Sequence, residues 1–383
     1  MKLADFDLRQ DPFPIVPDGP VRNWAGRRAL QEHLIDLVKG VRARDIGVTE
    51  FAVLHGEYGA GKSHALRYLK TLVDEDAKEF RSLAVYLERP RVAAKLNFLE
   101  LYKYIIHCVG RDVLRKICSE VRDKTDKTIG ERAEAAGVGY VADRSSFVEP
   151  TMGDLPAQDR SMVRLLRRGV DEEERVLRFL SGQENCSGDE YDGKIDSDFL
   201  AAKVLADLFR VVTAELRPSE RIYESVYLFL DEGELLIDAK ATESELVFSG
   251  LRELINGLPY RFGLLISFSA ATALIEAIMS QHLLKRLTMP YIEVPMLEDS
   301  EAKEFLRSQL DHSRVEDSGH AGTFFPFEEE AIDFIIENTT ALTPRNLFID
   351  CKRVFERAFR RFGLEAGETI SRDIAEKILV GFR

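Results

Sequence analysis

Glu50-Phe51-Ala52-Val53-Leu54-His55 runs straight into Gly56-Glu57-Tyr58-Gly59-Ala60-Gly61-Lys62-Ser63-His64, and Leu66, Leu69, Leu72 and Val73 follow at helical spacing. The order is apolar strand, glycine loop, helix. Residues 56–63 fit the pattern GxxxxGK[ST]. Glycines in such a loop let successive backbone N–H groups turn into one concavity that holds phosphate oxygens, and the helix N-terminus adds its partial positive charge. In this pattern Gly56, Glu57, Tyr58, Gly59, Ala60, Gly61 and His64 form the cradle. Lys62 reaches the β- and γ-phosphates of ATP, and the Ser63 hydroxyl holds Mg2+. The plainer alternative is a tight strand-to-helix turn carrying a surface lysine.

Outward from the loop, further strands are expected at Leu83–Leu87, Val226–Leu230, Gly263–Ser269 and Tyr291–Val294. They alternate with stretches of helical spacing, the first of them from Arg27 to Val41. That alternation predicts an α/β fold, a parallel-sheet P-loop core with crossover helices. Residues 100–222 differ, with helical pieces (Phe98–Leu114, Val170–Leu180) and polar, turn-rich pieces (136–158, 181–198). They read as a long, mostly helical insertion between the second and third strands. After residue 298 the spacing returns to helix at Asp299–Leu310, Phe327–Asn338, Pro344–Phe362 and 371–380, with Asp299 or Ser300 capping the first. The expected organisation is an extended N-terminal arm over 1–25, where Pro12, Pro14, Pro17 and Pro20 cluster, a P-loop domain over 26–297, and a small helical lid over 298–383.

A second group of candidate residues follows the later strands. Val226–Leu230 ends in Asp231-Glu232. Two carboxylates at the end of a buried strand are costly without a cation, which favours Asp231 as a Mg2+ residue and Glu232 as the general base that polarises water. A solvated acidic turn is the alternative. The fourth strand ends near Ser269, with Thr272 in reserve, as a polar contact between carboxylate and phosphate; Ser269 would serve equally as a helix N-cap. Arg286, with Lys285 as competitor, could reach a neighbouring subunit's nucleotide or simply end a basic helix. Arg345 opens a helix behind Thr343 and Pro344, a cap residue and a first-turn proline, and could reach back to the γ-phosphate.

Composition bounds the rest. The 383 residues are 45% hydrophobic and 31% charged, which is globular. No apolar run is long enough to span a bilayer, and the opening MKLADFDLRQDPFP lacks an apolar leader core, so neither a membrane segment nor a secretory signal is expected. Cys108, Cys118, Cys186 and Cys351 form no CxxC pair, which argues against a disulfide scaffold or zinc site and for a reducing cytoplasm. The formal charge of −13 requires any DNA contact to be local and salt-sensitive. Two basic runs qualify: Arg345, Lys352, Arg353, Arg357, Arg360 and Arg361 on one expected helix, and Arg164, Arg167 and Arg168 in the insertion. Solvated faces are the alternative for both.

Walker A, a DE Walker B, a polar fourth-strand end, a basic residue before the fifth strand and a lid arginine occur here in that order. The set resembles the AAA+ ATPases, and within them the initiator, origin-recognition-type branch. Trp24-Ala25-Gly26-Arg27 resembles that branch's GR box, which the resemblance places near the adenine, and Thr343-Pro344-Arg345-Asn346 resembles its lid motif. The likeness covers about residues 20–100 and 222–380. The interval from Lys62 to Asp231 is much longer than the family's compact core needs, and no winged-helix domain is expected after the lid. A second resemblance, to P-loop ATPases of BREX-type phage-defence loci, rests on Val176–Gly182 and on Asp231-Glu232-Gly233-Glu234. Together these imply an ATPase that forms a homo-oligomer with nucleotide and acts on DNA or a DNA-bound partner. An ATP-gated scaffold that binds only proteins, through the insertion, is the alternative. A P-loop kinase fits less well, because a DE Walker B points to water as the acceptor.

Overall fold

A computed structural model describes residues 3–15, 20–43, 49–75, 81–90, 95–136, 155, 157–186, 191, 193–217, 220–279, 281–286, 291–365 and 367–381. Five strands, β1 (Glu50–His55), β2 (Leu83–Leu87), β3 (Val226–Leu230), β4 (Phe262–Phe268) and β5 (Ile292–Glu293), form one parallel sheet in the order β2-β3-β4-β1-β5. The register runs from Leu83↔Val226 to Leu87↔Leu230 and from Val226↔Phe262 to Leu230↔Ile266. Every residue of β3 and β4 is buried. That explains their unbroken apolar runs, since a parallel sheet covered on both faces leaves no side for polar alternation. β5 keeps only two of the four residues expected of it.

The helices are α1 (Arg28–Ala43), α2 (Lys62–Glu75), α3 (Phe98–Val109), α4 (Arg111–Ala135), α5 (Ala157–Arg168), α6 (Glu173–Leu180), α7 (Asp198–Thr213), α8 (Glu234–Ile237), α9 (Ala241–Gly257), α10 (Thr272–Ile278), α11 (Gln281–Leu284), α12 (Asp299–Ser313), α13 (Glu329–Asn338), α14 (Pro344–Phe362) and α15 (Arg372–Leu379). None of them is long and apolar enough to cross a membrane. The chain forms two compact units. One holds residues 37–53 and 72–292, the other residues 1–36, 54–71 and 293–383.

In the first unit, α3 to α7 fill the interval between β2 and β3. The expected helix Phe98–Leu114 is two helices, because Gly110 adopts φ +82° and ψ 152° and ends one run before the next begins. Asn97 and Ser197 cap α3 and α7 by accepting from the backbone N–H of Glu100 and Leu200. α6 starts at Glu173, three residues after the expected Val170. Most of 136–158, and residues 187–190 and 192 of the second polar piece, lie outside the described residues. Arg210 pairs with Asp159 and Asp207 and donates to the Gly257 carbonyl at 3.0 Å, so one guanidinium ties α5, α7 and the end of α9. α10 begins at Thr272 behind Ala271, so Ser269 does not cap it.

In the second unit the expected extended arm is a folded segment. Leu3–Phe6 makes a short 3-10 turn, and Phe6, Leu8 and Phe13 are buried in the core of α12 to α15. The Phe6 ring lies 4.5 Å from that of Phe359. The prolines mark where the backbone cannot be helical, while Phe6, Leu8 and Phe13 decide where the segment docks. α12 is capped by Glu298 rather than Asp299 or Ser300, through a reciprocal capping box with Glu301. α13 starts at Glu329, two residues after the expected Phe327. α14 keeps the expected bounds, with the Thr343 hydroxyl accepting from the Asn346 N–H, Pro344 in the first turn and Gly363 at φ +66° closing the helix.

α9 lies against α3 at Gly250, where a Cβ would come within 2.0 Å of the ring of Phe98, itself fully buried. Alanine favours a helix over glycine by about 1 kcal/mol, but the ring cannot retreat in a packed core. Gly250→Ala should therefore lose about 2 kcal/mol of stability, net, read as a lower denaturant midpoint at unchanged slope.

Candidate functional site

The glycine loop belongs to the second unit, and its shape is forced by what lies against it. Gly56 has φ +154°, and a Cβ there would sit 2.5 Å from the Val294 carbonyl oxygen; the Val294 N–H donates to the His55 carbonyl at 2.7 Å. Gly59 has φ +82°, and its Cβ would meet the Arg345 Cβ at 2.9 Å and the Thr343 hydroxyl at 3.2 Å. Gly61 has φ +106°. At these three positions the loop takes only glycine without strain. Lys62 Nζ donates to the Gly56 carbonyl at 3.0 Å and to the Glu57 carbonyl at 2.9 Å, which holds the ammonium over the loop. Ser63 is half-buried in the first turn of α2.

Arg27 braces the loop from the N-terminal side. Its Nη1 donates to the Ala60 carbonyl at 2.5 Å, and its backbone N–H donates to Glu301 Oε1 at 2.9 Å. Its Nε and Nη2 are buried and find no protein partner. Burial pulls the guanidinium pKa down to about 10, against the opposing pull of Glu301. Trp24 packs edge-on to Tyr68 at 5.2 Å, and the Gln31 side chain donates to the Tyr68 hydroxyl at 2.8 Å. His64 turns away from the loop, with Nε2 2.8 Å from the Asn23 carbonyl; burial lowers its pKa. On the other side Arg345 Nη1 donates to the Tyr58 hydroxyl at 2.7 Å. A glycine-lined cradle, a lysine above it and two buried arginine donors without partners fit a phosphate-bearing ligand.

The acidic residues belong to the first unit. Asp231, almost wholly buried, accepts at Oδ2 from the Tyr86 hydroxyl at 2.7 Å. Its Oδ1 accepts from the Ser267 hydroxyl and from the Glu232 N–H at 3.0 Å. Three donors offset the desolvation of the carboxylate. Ser267 is the fourth-strand hydroxyl that meets Asp231. Ser269 lies just past β4 and receives the Glu234 carboxylate on its N–H at 3.2 Å. The register explains the choice: Leu230 is level with Ile266, so Asp231 is level with Ser267. Among the described residues no group of three or more His, Cys, Asp or Glu is placed to hold a metal. A lone carboxylate fits Mg2+, which keeps most of its water and takes one or two protein ligands.

Glu232 is exposed and has φ +50°, in the left-handed region. Gly233 lets the chain pass over β4: its N–H donates to the Ser267 carbonyl at 2.8 Å, and a Cβ would meet that oxygen at 2.6 Å. Partial burial, then Asp231 and Glu234, raise the Glu232 carboxyl pKa, and Arg89 opposes them. Lys285 and Arg286 are exposed in the turn after α11, and residues 287–290 lie outside the described residues. In the insertion, Arg167 pairs with Asp126 at 2.7 Å and Arg168 donates to the Cys186 sulfur at 3.2 Å, so that basic run is engaged within the fold. The four cysteines are free thiols. Tyr86 and Gly233 escaped the sequence reading, Tyr58 is expected only as part of the cradle and not as a partner of Arg345, and the fourth-strand choice falls on Ser269 where the structure brings Ser267 to Asp231.

No family model matches the chain, and no curated protein matches it. Solved structures do. The ORC2 protein of Aeropyrum pernix, in ADPNP–ADP complexes, is 12% identical over 96% of this chain and 70% of that one, with a TM-score of 0.52. The ORC1 protein of the same organism, in complex with DNA, is 11% identical over 97% of this chain and 69% of that one, with a TM-score of 0.53. The likeness shows a shared fold: a parallel α/β sheet with a helical C-terminal region.

Because the Glu232 pKa is raised, its ionised form destabilises the fold. The native state holds the proton more tightly than the unfolded chain, so this penalty is full above the raised pKa and vanishes below the ordinary carboxylate range. Glu232→Gln should raise the melting temperature at pH 7 by about 1 °C, a small effect because the group is exposed. The gain should fade by about pH 4, near the ordinary glutamate pKa; thermal melts at the two pH values check it.

Proposed function

We propose that this protein is an ATP-binding and ATP-hydrolysing AAA+ switch that assembles with nucleotide and acts on DNA or a DNA-bound partner. The observation that carries the reading is the arrangement around one glycine loop of Lys62, the Arg27 guanidinium and the lid residue Arg345. ATP and Mg2+ supply the bond that is broken and the cation that offsets its charge. Gly56 to His64 cradle the phosphates, Lys62 neutralises them, and Arg345 senses the terminal one. Ser63 and Asp231 are the metal residues. Glu232 takes the proton of the attacking water, and Ser269 orients it. Arg286 of a neighbouring copy stabilises the transition-state charge, so turnover depends on assembly.

DNA is the partner we favour, and α14 carries the argument. Arg353, Arg360 and Arg361 are exposed on it. Arg353 and Arg357 line a groove of about 450 Å3 with Asn338 and Asn346. Asp350, the acid in that groove, is engaged by the Thr339 hydroxyl at 3.2 Å and by Arg353 at 3.4 Å. The Aeropyrum pernix ORC1 protein, which shares the fold, is one solved with DNA. A cytoplasmic place and a role in phage defence complete the proposal; the latter rests on the BREX-type resemblance at Val176–Gly182 and Asp231–Glu234. One observation favours the protein-only reading: Phe199, at the start of α7 in the insertion, is 71% exposed.

Lys62→Ala should weaken ATP binding at least tenfold, whereas Glu232→Gln should keep binding and cut turnover by about 10²–10⁴. Equal turnover in Glu232→Gln and wild type removes the general base. Duplex DNA should stimulate turnover several-fold at low salt and less at high salt. Replacing Arg353, Arg360 and Arg361 together by alanine should abolish the stimulation. Turnover indifferent to DNA transfers the proposal to a protein partner on the insertion.

A further inference from the structure

Tyr58 stands third in the glycine loop and is 64% exposed, yet both its ring and its hydroxyl are engaged. Arg345 Nη1 donates to the phenol oxygen at 2.7 Å, and the guanidinium carbon lies 4.7 Å from the ring centroid. The pairing is a charge-assisted hydrogen bond and a cation–π contact made by the same two side chains. The backbone enforces it. Gly59 lets the first turn of α14 approach to where a Cβ would lie 2.9 Å from the Arg345 Cβ, and Thr343 and Pro344 fix where that turn begins. From that position the Arg345 side chain reaches Tyr58.

We infer that Tyr58 is a specificity-determining residue of the nucleotide site. It is the alternative partner of Arg345, competing with the terminal phosphate of a nucleoside triphosphate. This rests on the nucleotide-binding reading above. A triphosphate must draw the guanidinium off the phenol, and the free energy of the Tyr58–Arg345 pair is subtracted from its binding. A diphosphate has no terminal group at that place and leaves the pair intact. Tyr58 therefore narrows the preference for triphosphate over diphosphate and returns Arg345 to the loop once the terminal phosphate has gone. Only a difference in affinity between two ligands can move such an equilibrium, so the effect must show in their ratio rather than in either constant alone.

The test is calorimetric titration of the full chain with ADPNP and with ADP, in Mg2+, for wild type, Tyr58→Phe, Tyr58→Ala, Arg345→Ala and the Tyr58→Ala/Arg345→Ala double variant. Tyr58→Phe keeps the ring and loses the hydrogen bond; it should raise the ADPNP-to-ADP affinity ratio about threefold, and Tyr58→Ala about tenfold. In the Arg345→Ala background, Tyr58→Ala should leave the ratio where it stands, because the competition has no arginine to act on. Binding of both ligands with an unchanged ratio in the two tyrosine variants overturns the inference. So does a parallel fall in both affinities, which would make Tyr58 a shaper of the loop. Wild type that binds neither ligand overturns the nucleotide reading itself.

Discussion

No side chain can stand at Gly56 or Gly59 without displacing atoms that the fold needs elsewhere. At the first position the obstacle is the Val294 carbonyl, whose own N–H is bonded to His55 at the end of β1. At the second it is the opening turn of α14. The loop is therefore held by close approach as well as by its own dihedral angles. The same contacts bring a lid arginine and a loop tyrosine within hydrogen-bond distance. Arg27 adds the third support, at the cost of φ +48° and of two buried donors without a protein partner. Strain and unsatisfied polarity collected at one place are what a ligand site stores.

What could be read from the sequence is what is decided locally. α14 was legible to the residue because its cap, its first-turn proline and its closing glycine lie within or beside it. The strands were legible as apolar runs because a doubly covered parallel sheet allows nothing else. Features fixed by register or by packing were not. Choosing between Ser267 and Ser269 needs the pairing of Leu230 with Ile266, and no residue type announces that pairing. Tyr58 reads only as one residue of the cradle until the first turn of α14 is set against it. Glu298 was passed over as a cap because glutamate is a poor cap on its own; its reciprocal bonds with Glu301 make it one. Phe13 lies between Pro12 and Pro14, and Phe6 and Leu8 precede the proline cluster, so all three read as part of an arm until the core they enter is built.

The acidic end of β3 follows a different logic from the loop. Asp231 is buried and satisfied, with a phenol, a hydroxyl and a backbone N–H on its oxygens. Glu232, the next residue, is exposed, strained and next to two other acids. Adjacent carboxylates in such unlike settings are suited to unlike work. The first is fixed in position by its three donors, which suits the metal role proposed for it. The second is exposed, and its raised pKa suits the proton-accepting role proposed for it.

α14 joins the two proposed activities in one rigid element. Leu347, Phe348, Cys351, Val354, Phe355 and Ala358 line its buried face, and this apolar stripe fixes how the helix is turned about its axis. With that rotation set, residue 345 must fall beside the glycine loop, and residues 353 and 360 must fall on the exposed side. The helix cannot rotate to bring Arg345 nearer a phosphate without driving phenylalanines out of the core, so any shift of Arg345 must come from side-chain rotation or from movement of α14 as a whole. Side-chain rotation is the smaller step, and the Tyr58 contact is what it has to break. Movement of the whole helix would carry Arg353, Arg357 and Arg360 with it. A nucleotide that changes the position of α14 would in that way change the presentation of its basic face, with no separate relay between them.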